Sequence, residues 1–499
     1  MFKKILIANR GEIAIRISQT LQEMGIRTVA VYSDPDRKAL HVSSADEAYP
    51  LHGTTSAETY LRIDKIIDIA QGCGADAIHP GYGFLSENAE FAEACRKAGI
   101  TFVGPKPDAI RAMGDKVIAK KLLTEAGVPT VPGWSEDTAE PDFNELKKIA
   151  ADIGYPVLVK AAAGGGGKGM RVVSRETELE SGLEAAQREA KAAFADARVF
   201  LEKFIVRPRH VEFQIFGDEH GNVVHLFERE CSIQRRHQKI IEESPSPALT
   251  PQLREKMGEA AVRAAKAIGY TNAGTVEFMV DDAGAFYFLE VNTRLQVEHP
   301  VTEMVTQRDM VRAQILVAAG EPLPFRQEDL RQHGHAMECR IYAEDPGRNF
   351  LPATGTIDRY VPPVGPNIRV DSGVAQGSEV TVHYDPMLAK LITWSSSRRS
   401  AIEKMAWALR NYVILGVTTN IEFLHEVLTH PEHVAGKIHT QFLEEQTISS
   451  DTDIPDEALI AAALTARHGT GKGRTRGDIV AEDGDHGGPW QTAGAWKAF

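Results

Sequence analysis

Cysteine is scarce: 499 residues contain four, Cys73, Cys95, Cys231 and Cys339, with no CxxC pair. That scarcity argues against a disulfide scaffold or a cysteine zinc site and points to a reducing, cytoplasmic compartment. No apolar run approaches the roughly 18 residues of a membrane span. The opening Met1-Phe2-Lys3-Lys4-Ile5-Leu6-Ile7-Ala8-Asn9 has a basic pair but too short an apolar stretch for a signal peptide, and reads as a buried first strand. Positive charge is in deficit too: Lys+Arg number 56 against Asp+Glu 69, a net charge of -13. Bulk attraction to nucleic acid is excluded, although local basic pockets are not. No repeat period is visible. The 43% hydrophobic and 25% charged content excludes wholesale disorder, and the length suits several domains.

The pattern along the chain is α/β. Apolar strands at 4–8, 28–32 and 75–79 alternate with helical spacing at 12–24, 60–70 and 88–98, and a short strand follows at 99–104. This is the pace of parallel βαβ units. A helix from Lys116 to Ala126 leads into Gly127-Val128-Pro129-Thr130-Val131-Pro132-Gly133, a hinge signal. An antiparallel pattern fills about 205–300; strands with Pro/Gly turns follow, then a helix at 399–409. Pro455–Arg467 reads as an isolated helix, Gly469–Gly488 as a segment unable to form a core, and Trp490, Trp496 and Phe499 as a docking patch for a partner.

Four motifs carry chemistry. Tyr155–Gly169 is an apolar strand ending at Lys160, followed by Gly164-Gly165-Gly166-Gly167-Lys168-Gly169. Such a run suits a flexible surface loop, or backbone amides approaching phosphate oxygens. It fits neither the Walker A template nor the dinucleotide fingerprint. Lys160 at the end of an apolar strand requires an anionic partner. In the second motif, a hairpin closing at Ala283-Gly284 sets Glu277 opposite Glu290, with Asn292 on the same face. Opposed carboxylates repel unless a cation lies between them, and hard oxygen ligands suit Mg²⁺ or Mn²⁺. The third, Asn292–Pro300, offers Arg294 as a fork for a small oxyanion and Glu298 as a general base. The fourth, Arg229–Lys239, is a basic cluster without interleaved aromatics, which suits a polyphosphate pocket better than nucleic acid.

Tyr155–Gly169 and Phe288–Leu295 resemble the two signatures of carbamoyl-phosphate-synthetase-type ATP-grasp enzymes. Ile7–Ala14, His79–Asn88, Gln234–Lys239, Arg294–Glu303, Glu338–Ile341 and Tyr384–Met387 narrow the resemblance to biotin carboxylase. The resemblance implies an α/β (α+β) fold: a Rossmann-like pre-ATP-grasp domain (1–114), an ATP-grasp domain (115–330) with a mobile lid (about 134–204), a C-terminal biotin carboxylase domain (331–447) and a tail (448–499). It implies ATP- and bicarbonate-dependent carboxylation of biotin through carboxyphosphate, the first half-reaction of an acyl-CoA carboxylase. ATP contacts carried over are Lys116, Lys160, Gly165, Gly166, Gly167, Lys168, Gly169, Glu202, Lys203, Ile205, His210, Gln234, His237, Glu277 and Glu290. Metal ligands for Mg²⁺ or Mn²⁺ are Glu277 and Glu290, with Asn292 beside them. Lys239, Arg294, Gln296, Val297 and Glu298 resemble the bicarbonate pocket, with Glu298 as base. Tyr82, Gly83, Arg340 and Asp385 resemble the biotin site, and Lys239, Arg294, Glu298 and Arg340 are the implied catalytic group.

The sequence has no Met-Lys dipeptide, the usual seat of attached biotin in this family, so biotin is expected as a substrate on a separate carrier. Expected partners are therefore a biotin carboxyl carrier protein and a carboxyltransferase subunit, with self-association as a homodimer and no nucleic-acid or membrane partner. Two alternatives stand beside this reading: another ATP-grasp ligase joining an acyl phosphate to an amine, and a nucleotide-binding subunit without turnover. A binding-only module has no use for the base and cations of the Lys239, Arg294, Glu298 and Arg340 set.

Overall fold

The computed structural model describes residues 1–134, 142–162 and 170–448, together with Ile460. The chain divides into two compact units, 1–450 and 451–499. The expected glycine loop (Gly165–Gly169), the tail helix and the terminal aromatics lie outside the described residues.

The first sheet is parallel, in the order β3-β2-β1-β4-β5, from β1 (Lys4–Ile7), β2 (Arg27–Tyr32), β3 (Glu47–Pro50), β4 (Ala77–His79) and β5 (Thr101–Phe102). Strands β1, β2 and β4 are apolar on both faces because helices cover both, as parallel sheets require. Helix Gly11–Glu23 buries Ile13, Ile17 and Leu21 at helical spacing, and Gly25 follows with φ +72. Asn88 caps helix Ala89–Lys97 through the Phe91 amide. The helix expected at 60–70 starts later, at Ile63, and runs to Cys73. Tyr60 belongs instead to the preceding turn, fully buried. Strand β3 and helix Pro107–Gly114 have no strong sequence signal; β3 is a half-buried edge strand of mixed composition.

A four-stranded sheet, β6 (Gly133–Trp134), β7 (Val157–Ala161), β8 (Met170–Val173) and β9 (Val199–Lys203), has the order β6-β9-β7-β8. Helices Phe143–Ile153 and Leu179–Phe194 pack on it through a small core that includes Leu146, Val157, Val159, Leu183 and Leu201.

The largest sheet has eight strands. Its first six are, in spatial order, β14 (Phe286–Asn292), β13 (Asn272–Val280), β10 (Arg209–Gly217), β11 (Val223–Arg235), β12 (Gln238–Ser244) and β15 (His335–Tyr342); strands Met387–Ser395 and Ile368–Ser372 complete it. The expected boundary near 331 therefore falls within one continuous sheet, since β12 pairs directly with β15. Helix Pro251–Ala267, not anticipated from the sequence, starts from a Thr250 cap with Pro251 at its first position and buries an alanine-rich face against β10 and β11. Helix Arg398–Arg410 matches its expected position.

Candidate active site

The large sheet borders a cavity of about 680 Å³. At its foot Lys239 of β12 donates to three carboxylates: Glu212 (2.6 Å), Glu298 (2.7 Å) and Glu277 (2.9 Å). Arg229, fully buried, holds the other Glu212 oxygen at 2.6 Å. Arg340 of β15 donates to Glu242 (2.6 Å) and to Glu298 Oε2 (3.0 Å). Lys239, Arg229, Arg340, Glu212 and Glu298 are thus each paired, the condition under which charges survive desolvation. Burial opposes the Glu298 charge, but Lys239, Arg340 and Arg229 outweigh it and hold the carboxyl well below its usual range. Glu212, Glu277 and Glu298 hold Lys239 protonated against its burial. Glu298 is an anion at neutral pH, with both oxygens aimed at cations.

Arg294 lies beside this array. It donates to Glu87 (2.8 Å), Gln296 (2.9 Å) and Asn292 (3.1 Å), which aim its fork along the cavity wall. Lys390, fully buried, donates to the Val297 carbonyl at 2.9 Å and fixes that stretch of backbone.

The β13–β14 hairpin pairs Glu277 with Glu290, as its sequence predicts, but by an unanticipated route. Near the tip Phe278 pairs with Phe288, a register that points Glu277 at Leu289. An irregularity between positions 277 and 278 leaves Leu289 over and brings Glu290 into place. Asn292 donates to Glu277 at 2.9 Å. Glu277 is held low, against burial, by Lys239 and His210, whose Nε2 lies 3.1 Å from it. Glu290 faces the cavity with its side chain 39% exposed, and among the described residues its nearest cation is Lys116 at 3.9 Å. Desolvation and the neighbouring Glu277 charge push its carboxyl up. Two opposed carboxylates, one of them open to the cavity, are a hard donor set that fits a divalent cation, while Asn292 turns its amide nitrogen to Glu277 and its oxygen to Arg294.

At the other end of the cavity Lys160 and Lys120 clasp Glu202 of β9 at 2.8 and 2.9 Å. The anionic partner expected for Lys160 is therefore Glu202. Lys116 opens helix Lys116–Glu125, behind an Asp115 cap. Gln234 packs on His210, nitrogen to nitrogen 2.9 Å apart. Arg236 and His237 form the turn between β11 and β12, both in the left-handed region (φ +49 and +66). Such non-glycine strain persists only where the surroundings enforce it, and here it turns both residues to the cavity.

The cavity wall brings together Lys116, Lys160, Glu202, Lys203, Ile205, His210, Gln234, His237, Lys239, Glu277, Glu290, Asn292, Arg294, Gln296, Val297 and Arg340. Glu298 stands directly behind Lys239 and Arg340. Tyr82, Gly83 and Asp385 are not part of this wall. Tyr82 lies with its ring 5.9 Å from Lys390, and Asp385 accepts from the Met387 amide at 2.9 Å. Sequence reasoning missed Glu87, Glu212, Glu242 and Lys390 as site residues, and Arg229, expected in a polyphosphate pocket, is instead buried against Glu212. A signal existed for Glu212: His210, Glu212 and Gln214 put polar groups at every second position of an otherwise apolar strand. Glu338 and Arg340 repeat that alternation on β15.

A parallel α/β sheet, a small lid-like sheet and a carboxylate hairpin beside a buried anion cradle define an ATP-dependent ligase of the ATP-grasp type. Family models match in order: Biotin carboxylase, N-terminal domain (1–110), Carbamoyl-phosphate synthase L chain, ATP binding domain (115–326), and Biotin carboxylase C-terminal domain (338–445). The biotin carboxylase of Nostoc sp. is 55% identical over 444 residues, covering 89% of this chain and 99% of that one. The mitochondrial methylcrotonoyl-CoA carboxylase subunit alpha of Dictyostelium discoideum is 53% identical over 466 residues; the match covers 93% of this chain but only 66% of that relative. Biotin carboxylase from Campylobacter jejuni superposes with TM-score 0.86 at 48% identity, covering 89% of this chain and 99% of that one. The biotin carboxylase domain dimer of Hydrogenobacter thermophilus 2-oxoglutarate carboxylase, solved with MgADP, ADP and bicarbonate, gives 0.85 at 51%, covering 89% and 98%. The chain belongs to the biotin carboxylase family.

Proposed function

We propose that this chain uses ATP and bicarbonate to carboxylate biotin on a separate carrier, through carboxyphosphate, as the first half-reaction of an acyl-CoA carboxylase. The observation that carries this reading is a single cavity joining the opposed Glu277–Glu290 pair to the cation array around Glu298.

Lys239 and Arg294, with Gln296 and the Val297 backbone, seat bicarbonate. Glu298 takes its proton. The freed oxygen bonds to the γ-phosphorus as the bond to the bridging oxygen breaks, leaving ADP and carboxyphosphate. Phosphoryl transfer of this kind needs positioning and charge more than covalent help. Lys116, Lys160, His210, Gln234 and His237 hold the nucleotide, with Glu202 orienting Lys160. Mg²⁺ or Mn²⁺, held by Glu277 and Glu290 beside Asn292, supplies neutralisation of phosphate charge. Carboxyphosphate then breaks to CO₂ and phosphate, the phosphate takes the N1 proton of biotin, and N1 bonds to the carbon while Arg340 steadies the enolate.

We infer further that the chain works with a carrier protein and a carboxyltransferase subunit, pairs as a homodimer and resides in the cytoplasm. What supports these is the family, the dimer named for the Hydrogenobacter relative, and four free cysteines. No helix among the described residues is long and apolar enough to cross a membrane. The test is ADP release by the purified chain. Release requiring bicarbonate and stimulated by free biotin, but not by ammonia or amino acids, is expected; stimulation by an amine instead contradicts the reading.

A further inference from the structure

The order β3-β2-β1-β4-β5 reverses direction between β1 and β4. In open parallel sheets the crevice beyond the carboxyl ends of two such strands is the usual ligand site. Here that crevice receives the protein's own C-terminal region, through the loop Asn9-Arg10-Gly11-Glu12. The sequence motif that contains this loop has no role in the chemistry above.

Three side chains of the loop each grip a different segment. Asn9, buried after β1, donates to the carbonyls of Pro80 and Tyr82, both at 2.7 Å. Gly81 between them has φ +63, and a Cβ there would lie 3.0 Å from the Asn9 amide. Arg10 forks onto Asp36 at 2.7 and 2.8 Å, and its guanidinium carbon sits 4.4 Å from the Tyr384 ring centre. Tyr60 donates to the same Asp36 at 2.6 Å, packs edge-on to Tyr384 and stacks on Phe84. Tyr384 donates to the Thr54 carbonyl at 2.7 Å. Glu12 lies 3.3 Å from the ammonium of Lys390, which holds the Val297 carbonyl and lies under Tyr82. The approach is close: a Cβ at Gly373 would come 2.7 Å from the Glu12 nitrogen.

We propose that Asn9, Arg10 and Glu12 are positioning residues: Asn9 and Arg10 fix Tyr82–Gly83 and Tyr384–Asp385, the segments whose motifs resemble the biotin site, and Glu12, through Lys390, fixes the Val297 backbone of the bicarbonate seat. This rests on the functional reading above. None of the three lines the cavity, so each acts through the segment it grips. Misplacing a substrate-positioning segment by an ångström costs up to about a hundredfold in rate.

The experiment is steady-state kinetics of the full chain with free biotin, for Arg10→Gln, Arg10→Lys and Tyr384→Phe. Arg10→Gln loses both the fork and the cation; kcat/KM for biotin is expected to fall roughly tenfold or more, with KM for ATP within about twofold of wild type. Arg10→Lys keeps a cation for the Tyr384 ring and should recover part of the loss. Tyr384→Phe removes only the Thr54 bond, gives the smallest rise in biotin KM and keeps the test open should Arg10→Gln fail to fold. Unaltered biotin kinetics in the folded variants, or an equal loss in ATP and biotin parameters, overturns the inference. A wild-type chain indifferent to biotin overturns the functional reading and the inference with it; a competent wild type with biotin-neutral variants overturns the inference alone.

Discussion

The two ends of the cavity are built on opposite principles. Lys239, Glu298 and Arg340 each already have a buried partner of opposite charge within 3.0 Å. Around Glu290 and Lys116 the nearest opposite charges are 3.9 Å apart, and both side chains are open to the cavity (39% and 27% exposed). A buried array in which each charge satisfies another is rigid and in place before any ligand arrives, the pre-organisation that favours electrostatic catalysis. At the open end the described residues leave Glu290 and Lys116 under-compensated, while Lys160 and Glu202 beside them are paired at 2.8 Å, so the Glu290–Lys116 pair is the part suited to engage nucleotide and cation. A small anion entering the closed end must compete with the carboxylates that already hold Lys239.

Breaking the open end should have the largest effect. Glu290→Ala removes half the carboxylate pair, and turnover at ordinary Mg²⁺ is expected to vanish in an ADP-release assay. Near-native turnover would remove these residues from the metal site. At the closed end, Glu298→Gln keeps shape but cannot accept the proton; turnover should fall by about a hundredfold or more while MgATP affinity, measured by titration calorimetry, stays near wild type. Arg340→Ala should lose biotin carboxylation yet keep some bicarbonate-dependent ATP cleavage, because its role follows phosphoryl transfer. Both variants failing at ATP binding would mean that the two ends are one unit.

The smallest effect sharpens the comparison through pH. Glu242 and Glu243 are adjacent on β12 yet shifted oppositely. Burial raises Glu242 from 4.5 to about 7, beyond what Arg340 restores. Glu243 is pushed below its ordinary value, against burial, by His335 and Arg398. Between pH 4.5 and about 7 the folded state binds a proton at Glu242 that the unfolded chain has released, so this group's contribution to stability falls as pH rises through that window. The Glu243 contribution has the other sign: present above 4.5, lost as pH falls toward its depressed value. Glu242→Gln should therefore flatten the decline in thermal midpoint between pH 5 and 7, and an unchanged slope would refute the assignment.

Much of the nucleotide end was legible because its signals are local: a hairpin, a Lys-terminated strand and a basic turn each lie within about 20 residues. The pairing of Glu277 with Glu290 was reached correctly, yet it depends on the irregularity beside Leu289, which spacing alone cannot reveal. The closed end is assembled from afar. Lys239 meets Glu212 and Glu298 across 27 and 59 residues, and Arg340 meets Glu242 across 98. Glu212, Glu242 and Lys390 look like ordinary polar members of strands until the eight-stranded order aligns them, and Arg229, read as part of a polyphosphate cluster, instead holds Glu212. Helix Pro251–Ala267 escaped notice because its buried face is mostly alanine, which gives weak hydrophobic contrast.

The most direct test follows the oxygen that Glu298 is held to activate. The purified chain, given MgATP, free biotin and bicarbonate labelled with ¹⁸O and ¹³C, should release phosphate carrying one bicarbonate oxygen for each ADP formed, and the ¹³C should appear on biotin. Phosphate without that oxygen would mean that water attacks the nucleotide, and would contradict carboxyphosphate and the role assigned to Glu298.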